Sequence, residues 1–406
     1  MNKKNTPIKV AFYCHRIRYG GIERVISLLI NFLSKNKFFT IYLITVSGKS
    51  KNEYSIPINV KRITLSNHKM NIYKAITKEN IDVLIYSNYY LKEEIKKLNE
   101  LNITKVIYYN HSAFIYWIYS GIYKFENTIY PTYKNCEYVI SLIPLENDYL
   151  FKMWGINSIL MDNPSTFDYD LVIPSDLSKK NIIMIGRSDD FVKRFELGIY
   201  AMKTILNEFP ECKMNIISIP KRKLKNLIKA LNLEKNVKIT GFKKNPEPYL
   251  KNASLHIFPS ISESYSMVLG EAKIFGIPSI LCGIDYISLA KGGTIIIYDD
   301  NPDTISKEAI KILKEDKYRI KLGKEARKSM QKHKNMLITK KWIKLILSVY
   351  NGIDSASIMK HIMNDYKPMT KVEIDRILNN QLNLLKKRKP NFKDLTLENL
   401  KLYSLE

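Results

Sequence analysis

The chain is 406 residues long, with 45% hydrophobic and 26% charged residues and a formal net charge of +26 from 65 basic against 39 acidic side chains. That length holds two domains of ordinary size, and the composition excludes a disordered or collagen-like chain. The positive field favours phosphorylated substrates, an anionic membrane surface or nucleic acid. No zinc-finger spacing or RNP-type aromatic motif accompanies it, so nucleic acid is not an expected partner.

In chain order, strand-like runs fall near 8–14, 39–47, 60–65, 82–88, 104–109 and 137–142, with helical patterns near 21–35, 70–79, 91–100, 112–128 and 145–154. The second half repeats the alternation. Its strands fall near 181–186, 213–218, 236–240, 255–258, 279–282 and 294–298, and its helices near 194–208, 221–231, 246–251, 266–276, 303–315 and 317–333. Such alternation predicts parallel sheets covered by helices, hence an α/β chain of two doubly wound Rossmann-like domains. These folds bind ligands beyond the carboxyl ends of their strands. Gly20-Gly21, His111, Gly186-Arg187 and Glu263 all fall there.

The boundary is expected within 163–180, which carries two prolines and the polar run Ser175–Lys180. This gives an N-terminal domain over 1–165 and a C-terminal domain over 166–340. Cys14, Cys136, Cys212 and Cys282 lack metal or redox spacing and read as reduced thiols of a cytosolic protein. The five-residue apolar run after the first four residues is too short for a signal peptide.

Val106–Tyr123 contains no charged residue, but Asn110, His111, Ser112, Ser120 and Gly121 interrupt it, and it is not read as a membrane span. Its aromatic residues Phe114, Tyr116, Trp117, Tyr119 and Tyr123, with flanking lysines, suit peripheral contact with a bilayer. An aromatic core helix or the wall of an acceptor pocket suits them equally.

The most informative run is Phe258-Pro-Ser-Ile-Ser-Glu263-Ser-Tyr-Ser-Met-Val-Leu-Gly-Glu271, a strand, a polar loop and a helix start. Free backbone N–H groups at the helix start suit an anion such as phosphate. Two flanking carboxylates suit hydroxyl-rich groups, which offer donors to ionised acceptors. A phosphate between two polyol binders outlines a nucleotide-sugar; a solvated loop Glu263 and a first-turn Glu271 favoured by the helix dipole is the other reading of the same residues.

This run resembles the E-x7-E motif of retaining GT-B glycosyltransferases, particularly glycosyltransferase family 4. Three further segments match in order. Gly20-Gly21-Ile22-Glu23-Arg24 is similar to the family's G-G-x-E-R segment, Asn163-Pro164 to the N-P that ends its first domain, and Gly186-Arg187 with Lys193 to its G-R…K phosphate site. Together they cover roughly residues 8–350. The resemblance implies two Rossmann-like domains facing a central cleft. It also implies a crossover helix within 341–354 that returns to the first domain. Residues 355–406, with the Lys386-Lys-Arg-Lys389 cluster, are then a basic extension outside the family pattern.

By the same resemblance, Arg187 and Lys193 clamp the diphosphate of the donor, with Arg194 as the alternative to Lys193. Glu263 contacts the donor sugar, and Glu271 holds the ribose hydroxyls of the nucleotide. The backbone of Ser264, Tyr265, Ser266, Met267 and Val268, with Gly186, lines the sugar and phosphate. His111 faces the transferred sugar, orients it and shares positive charge near the reacting centre. Gly20 and Gly21 allow close backbone approach.

The implied activity is a retaining, metal-independent hexosyl transfer from a nucleotide-sugar to a saccharide or lipid-linked saccharide. It belongs to cell-surface polysaccharide or glycolipid synthesis at the cytoplasmic face of a membrane. No cofactor or metal is expected. Asp168-Tyr-Asp170 spells the D-x-D metal signature of the other glycosyltransferase fold, but it follows a loop rather than a core strand. A sugar-nucleotide epimerase shares the architecture, and a non-catalytic binding partner of an active enzyme is the competing reading.

Overall fold

The structure, a computed structural model, describes residues 6–65, 71–87, 96–98, 100, 102–113, 115, 130–187, 192–363 and 366–388. The helices expected near 91–100 and 112–128 lie largely outside these residues, as do most of the aromatic segment and the end of the Lys386–Lys389 cluster. The chain divides into two compact units. Of the described residues, one comprises the chain to Thr166 with Asn335–Leu378, and the other comprises Phe167–Lys334 with 379–388.

Among the described residues of the first unit, seven strands form one parallel sheet: β1 (Ile8–Cys14), β2 (Phe39–Thr45), β3 (Lys61–Thr64), β4 (Val83–Tyr86), β5 (Lys105–Tyr109), β6 (Tyr138–Ser141) and β7 (Ser158–Leu160). Their order is β3-β2-β1-β4-β5-β6-β7. In register, Val10 of β1 lies between Ile41 of β2 and Val83 of β4. Strands of this sheet are apolar at consecutive positions because both faces are covered. β7 was not expected from the sequence, since three residues carry too little periodicity to read.

Helix α1 (Gly21–Leu33) buries Val25, Ile26, Leu29, Ile30 and Leu33, the 3.6-residue stripe that turns a helix face onto a sheet. α2 (Ile72–Glu79) is capped by the Asn71 side chain, which accepts from Lys74 N. α3 (Tyr130–Lys134) and α4 (Pro144–Trp154) follow, the latter with proline at its start and Gly155 in the left-handed region at its end.

The second unit holds β8 (Asn181–Ile185), β9 (Lys213–Ile217), β10 (Val237–Ile239), β11 (Leu255–Phe258), β12 (Ser279–Cys282) and β13 (Thr294–Ile297), parallel and in the order β10-β9-β8-β11-β12-β13. Its helices are α5 (Phe195–Glu208), α6 (Arg222–Ala230), α7 (Glu247–Leu250), α8 (Met267–Ile274), α9 (Pro302–Lys314) and α10 (Asp316–Ser329). Met184, Ile199, Met202, Ile257, Ile280 and Ile312 belong to one buried cluster between sheet and helices. Asp168-Tyr-Asp170 forms a braced turn here. Asp168 accepts from Asp170 N at 3.0 Å, Asp170 pairs with Lys334 at 2.6 Å, and the Arg327 guanidinium lies 4.6 Å from the Tyr169 ring.

After Lys334 the chain rejoins the first unit through α11 (Asn335–Tyr350), which opens at Asn335 rather than at 341. The extension is not a tail over its described part. It forms α12 (Ser355–Ile362) and α13 (Lys371–Arg388). Buried Asp148 of α4 accepts from Tyr366 Oη and from Met369 N, both at 2.7 Å, and Ser355 donates to Glu137 O at 2.9 Å. Thr370 and Glu373 exchange hydrogen bonds as a capping box at the start of α13.

Candidate functional site

The winding of the second sheet reverses between β8 and β11, the neighbouring strands at its centre. Ligands of doubly wound sheets bind at such a switch point, beyond the carboxyl ends of the strands. Here the loops after β8 and β11 are fastened to each other at three places. Ile261 N donates to Val192 O at 2.9 Å, Arg194 Nε donates to Pro259 O at 2.8 Å, and Lys193 Nζ forms an ion pair with Glu263 Oε1.

Backbone conformation separates Lys193 from Arg194. Arg194 takes φ +45° at the start of α5, and its guanidinium turns inward to Asp300 at 2.9 Å. It is therefore a buried structural cation and no substitute for Lys193. The Lys193 ammonium lies 5.3 Å from the centre of the Phe258 ring, and a Cβ at Gly186 would make ordinary contact with the Lys193 methylenes at 3.4 Å. Arg187 is exposed, and among the described residues no hydrogen bond or ion pair engages its side chain.

Glu263 is held by its backbone as well as by its carboxylate. The Tyr286 hydroxyl accepts from Glu263 N at 3.1 Å and donates to Glu263 O at 3.2 Å. Three residues on, Ser266 takes φ +65° and leads into α8, leaving the first-turn N–H groups without intrahelical partners. The buried hydroxyls of Ser260 and Ser266 find no hydrogen-bond partner among the described residues. Ser264, Met267 and Val268 are half-buried around this helix start. Glu271 sits on the fifth residue of α8 and is only 1% exposed. Tyr265, whose backbone is expected to line the ligand, buries its ring and hydrogen-bonds His333 Nδ1 through its hydroxyl at 3.2 Å.

In the first unit, Gly20 precedes α1, and a Cβ there would occupy the place taken by the Glu23 carboxylate. At Gly21 a Cβ would meet nothing within 4 Å, so packing does not require that glycine. His111 follows β5 and packs its ring 4.0 Å from that of Tyr109. The residue is half-buried, yet Nε2 is shielded from water, and burial lowers its pKa to about 3. Burial here therefore favours the neutral form of the imidazole.

The turn carrying His111 rests on buried Asn110, whose Oδ1 accepts from Ser112 N at 3.0 Å. The Asn110 amide reaches Tyr133 Oη and Glu146 Oε1, and Tyr133 donates to the same carboxylate oxygen at 2.5 Å. Burial raises the Glu146 carboxyl from 4.5 to about 7, against the opposing pull of these donors. A raised carboxyl stabilises the fold fully below the unfolded value and loses that contribution as pH rises through the folded one. Glu146→Gln should therefore gain on the wild type by roughly 3 kcal/mol between pH 4.5 and pH 8, at 1.36 kcal/mol per unit. Urea denaturation of both proteins at the two pH values checks this; a pH-independent difference would overturn it.

Sequence patterns gave no sign of Tyr286, which follows β12 without a motif. Lys273 did leave a signal, a charge within the apolar face of α8. It is fully buried, its ammonium donates to Leu289 O at 2.7 Å and Lys291 O at 2.6 Å, and burial with nearby Lys332 lowers its pKa to about 7. It ties α8 to the segment that follows Tyr286.

Residues 171–329 match the family described as Glycosyl transferases group 1, so the second unit carries a glycosyltransferase group 1 domain. An uncharacterized glycosyltransferase of Haemophilus influenzae is 23% identical over 292 residues, covering 67% of this chain and 80% of that protein. A poly(glycerol-phosphate) alpha-glucosyltransferase of Bacillus subtilis is 25% identical over 178 residues, 42% of this chain and 26% of its own length. Among solved structures, sucrose-phosphate synthase from Thermosynechococcus elongatus superposes with a TM-score of 0.70 at 15% identity, over 85% of this chain and 100% of that one. Anabaena HepE in complex with UDP and glucose gives 0.68 at 13% identity, over 84% and 100%. At such identities the likeness shows the fold, two parallel-sheet Rossmann-like domains of the GT-B type.

Proposed function

We propose that the chain is a retaining glycosyltransferase that moves a hexose from a nucleotide-sugar to a saccharide or lipid-linked saccharide. The observation that carries this reading is the junction at the β8–β11 switch point. There Lys193 and Glu263 pair three residues before the α8 start, and Arg187 follows β8, all within the matched glycosyltransferase group 1 domain. Arg187 and Lys193 take the diphosphate, whose charge grows as the glycosidic bond to phosphate breaks. The α8 N–H groups add a dipole of the same sense. Glu263 accepts from sugar hydroxyls and Glu271 from the ribose.

His111 orients the sugar, and Gly20 and Gly21 give the backbone close approach. The acceptor oxygen forms its new bond on the face the phosphate leaves, and its proton passes to the leaving phosphate. No metal and no cofactor enters this scheme. The relative named for α-glucosyl transfer to poly(glycerol-phosphate) and the neighbour solved with UDP and glucose support a UDP-hexose donor. Surface-polymer synthesis at the cytoplasmic side of an anionic membrane accords with the +26 charge.

The test is a thermal-shift panel of UDP, GDP and ADP with their hexose conjugates, on wild type and Glu271→Ala. One nucleotide should raise the wild-type melting temperature by several degrees, equivalent to 2–3 kcal/mol at about 100 Kd, and the shift should vanish in the variant. Absence of any shift with a folded wild type would sink the reading.

A further inference from the structure

The two groups read as binding opposite ends of the donor bind each other in this structure. Lys193 Nζ and Glu263 Oε1 are paired, with side chains 15% and 11% exposed. Neither partner is loosely placed. Lys193 lies over Phe258, and Tyr286 hydrogen-bonds both backbone polar groups of Glu263. The adjacent loops are joined besides by Ile261 N to Val192 O and by Arg194 to Pro259 O. The pair is thus built into the junction. A shielded cation without a counter-charge costs several kcal/mol, and Glu263 supplies that counter-charge to Lys193.

We infer that Glu263 competes with the diphosphate for Lys193 and thereby drives release of the nucleoside diphosphate product. The inference rests on the proposed donor site. A nucleotide-sugar brings both exchanges at once: its diphosphate replaces Glu263 on Lys193, and its sugar hydroxyls donate to the freed carboxylate. Both charges stay compensated. Once the sugar has been transferred, the product keeps the diphosphate but has lost those donors. Glu263 then faces a bound polyanion with no hydroxyl to satisfy it, and like charges at close range in a shielded site repel. Re-forming the Lys193–Glu263 pair relieves the repulsion and leaves the diphosphate without its cation.

The consequence has the opposite sign to that of an ordinary binding residue. Glu263→Gln keeps the shape of the side chain but withdraws the competing charge. It should bind the nucleoside diphosphate about tenfold more tightly than the wild type while binding the nucleotide-sugar no better.

Titration calorimetry of UDP, GDP and ADP, and then of the hexose conjugate of whichever binds, would be run on wild type, Glu263→Gln, Lys193→Met and the double variant. The tightening for the diphosphate should appear in Glu263→Gln and be absent when the same change is made on Lys193→Met, because only the ammonium is competed for. Equal diphosphate affinity in wild type and Glu263→Gln, or tightening that persists without Lys193, would overturn the inference and leave the donor site standing. Failure of all three nucleotides to bind either wild type or Glu263→Gln would overturn the donor site, and this inference with it.

Discussion

Arg187→Ala should lower kcat/KM for sugar transfer by about 10²–10³-fold, the usual effect of removing one preorganised charge from a developing anion. The same substitution should leave the melting temperature unchanged within the error of a surface change, about 0.5 kcal/mol. Both halves follow from the placement of the residue. It stands directly beyond the carboxyl end of β8, is exposed, and has no hydrogen bond or ion pair to lose among the described residues. The guanidinium presents paired donors to phosphate oxygens, so Arg187→Lys should restore only part of the rate. Steady-state transfer kinetics alongside a thermal melt would decide the matter. Full activity in Arg187→Ala would remove the residue from the diphosphate clamp, whereas a rate loss matched by a large melting shift would assign it a structural role instead.

Trp342→Ala should destabilise the first unit by about 3–5 kcal/mol, the range for truncating a buried aromatic in a core that relaxes only partly. Trp342 is fully buried on α11, and its ring lies 5.1 Å from that of Tyr109 at the end of β5. Tyr109 in turn hydrogen-bonds Asn163 and packs at a tilt against the His111 ring. The indole therefore supports both the return of the chain to the first sheet and the turn proposed to face the sugar. For a unit of this size the loss corresponds to roughly 2–4 °C per kcal/mol. A drop of roughly 10 °C in the melting transition is expected, with Trp342→Phe recovering more than half of it. A variant that melts within 2 °C of the wild type would show that α11 is held elsewhere.

Much of the fold could be read along the chain. Consecutive apolar strands such as Val83–Tyr86, set between amphipathic stripes such as that of α1, announce a covered parallel sheet. The Glu263–Glu271 run was also legible, because its strand, loop and helix are contiguous in sequence. The extension beyond residue 354 was not. Its helices gain their place from Asp148 and Glu137, more than two hundred residues earlier, and no local pattern carries such a contact.

The candidate site divides along the same line. The resemblance of the G-R…K and E-x7-E segments to the family's motifs nominated Arg187, Lys193, Glu263 and Glu271 without any coordinates. Sequence alone left Lys193 and Arg194 interchangeable. The left-handed backbone at Arg194, which sends one side chain inward to Asp300 and leaves the other to meet Glu263, decided between them.

Likewise the burial that lowers the His111 pKa, the raised carboxyl of Glu146 and the two hydrogen bonds of Tyr286 with the Glu263 backbone belong to the tertiary structure. Periodicity reports which face of an element is buried, since that depends on neighbours three or four residues away. Which charges are buried together depends on how distant strands are ordered, and in this chain β8 meets β11 across more than sixty residues of intervening sequence.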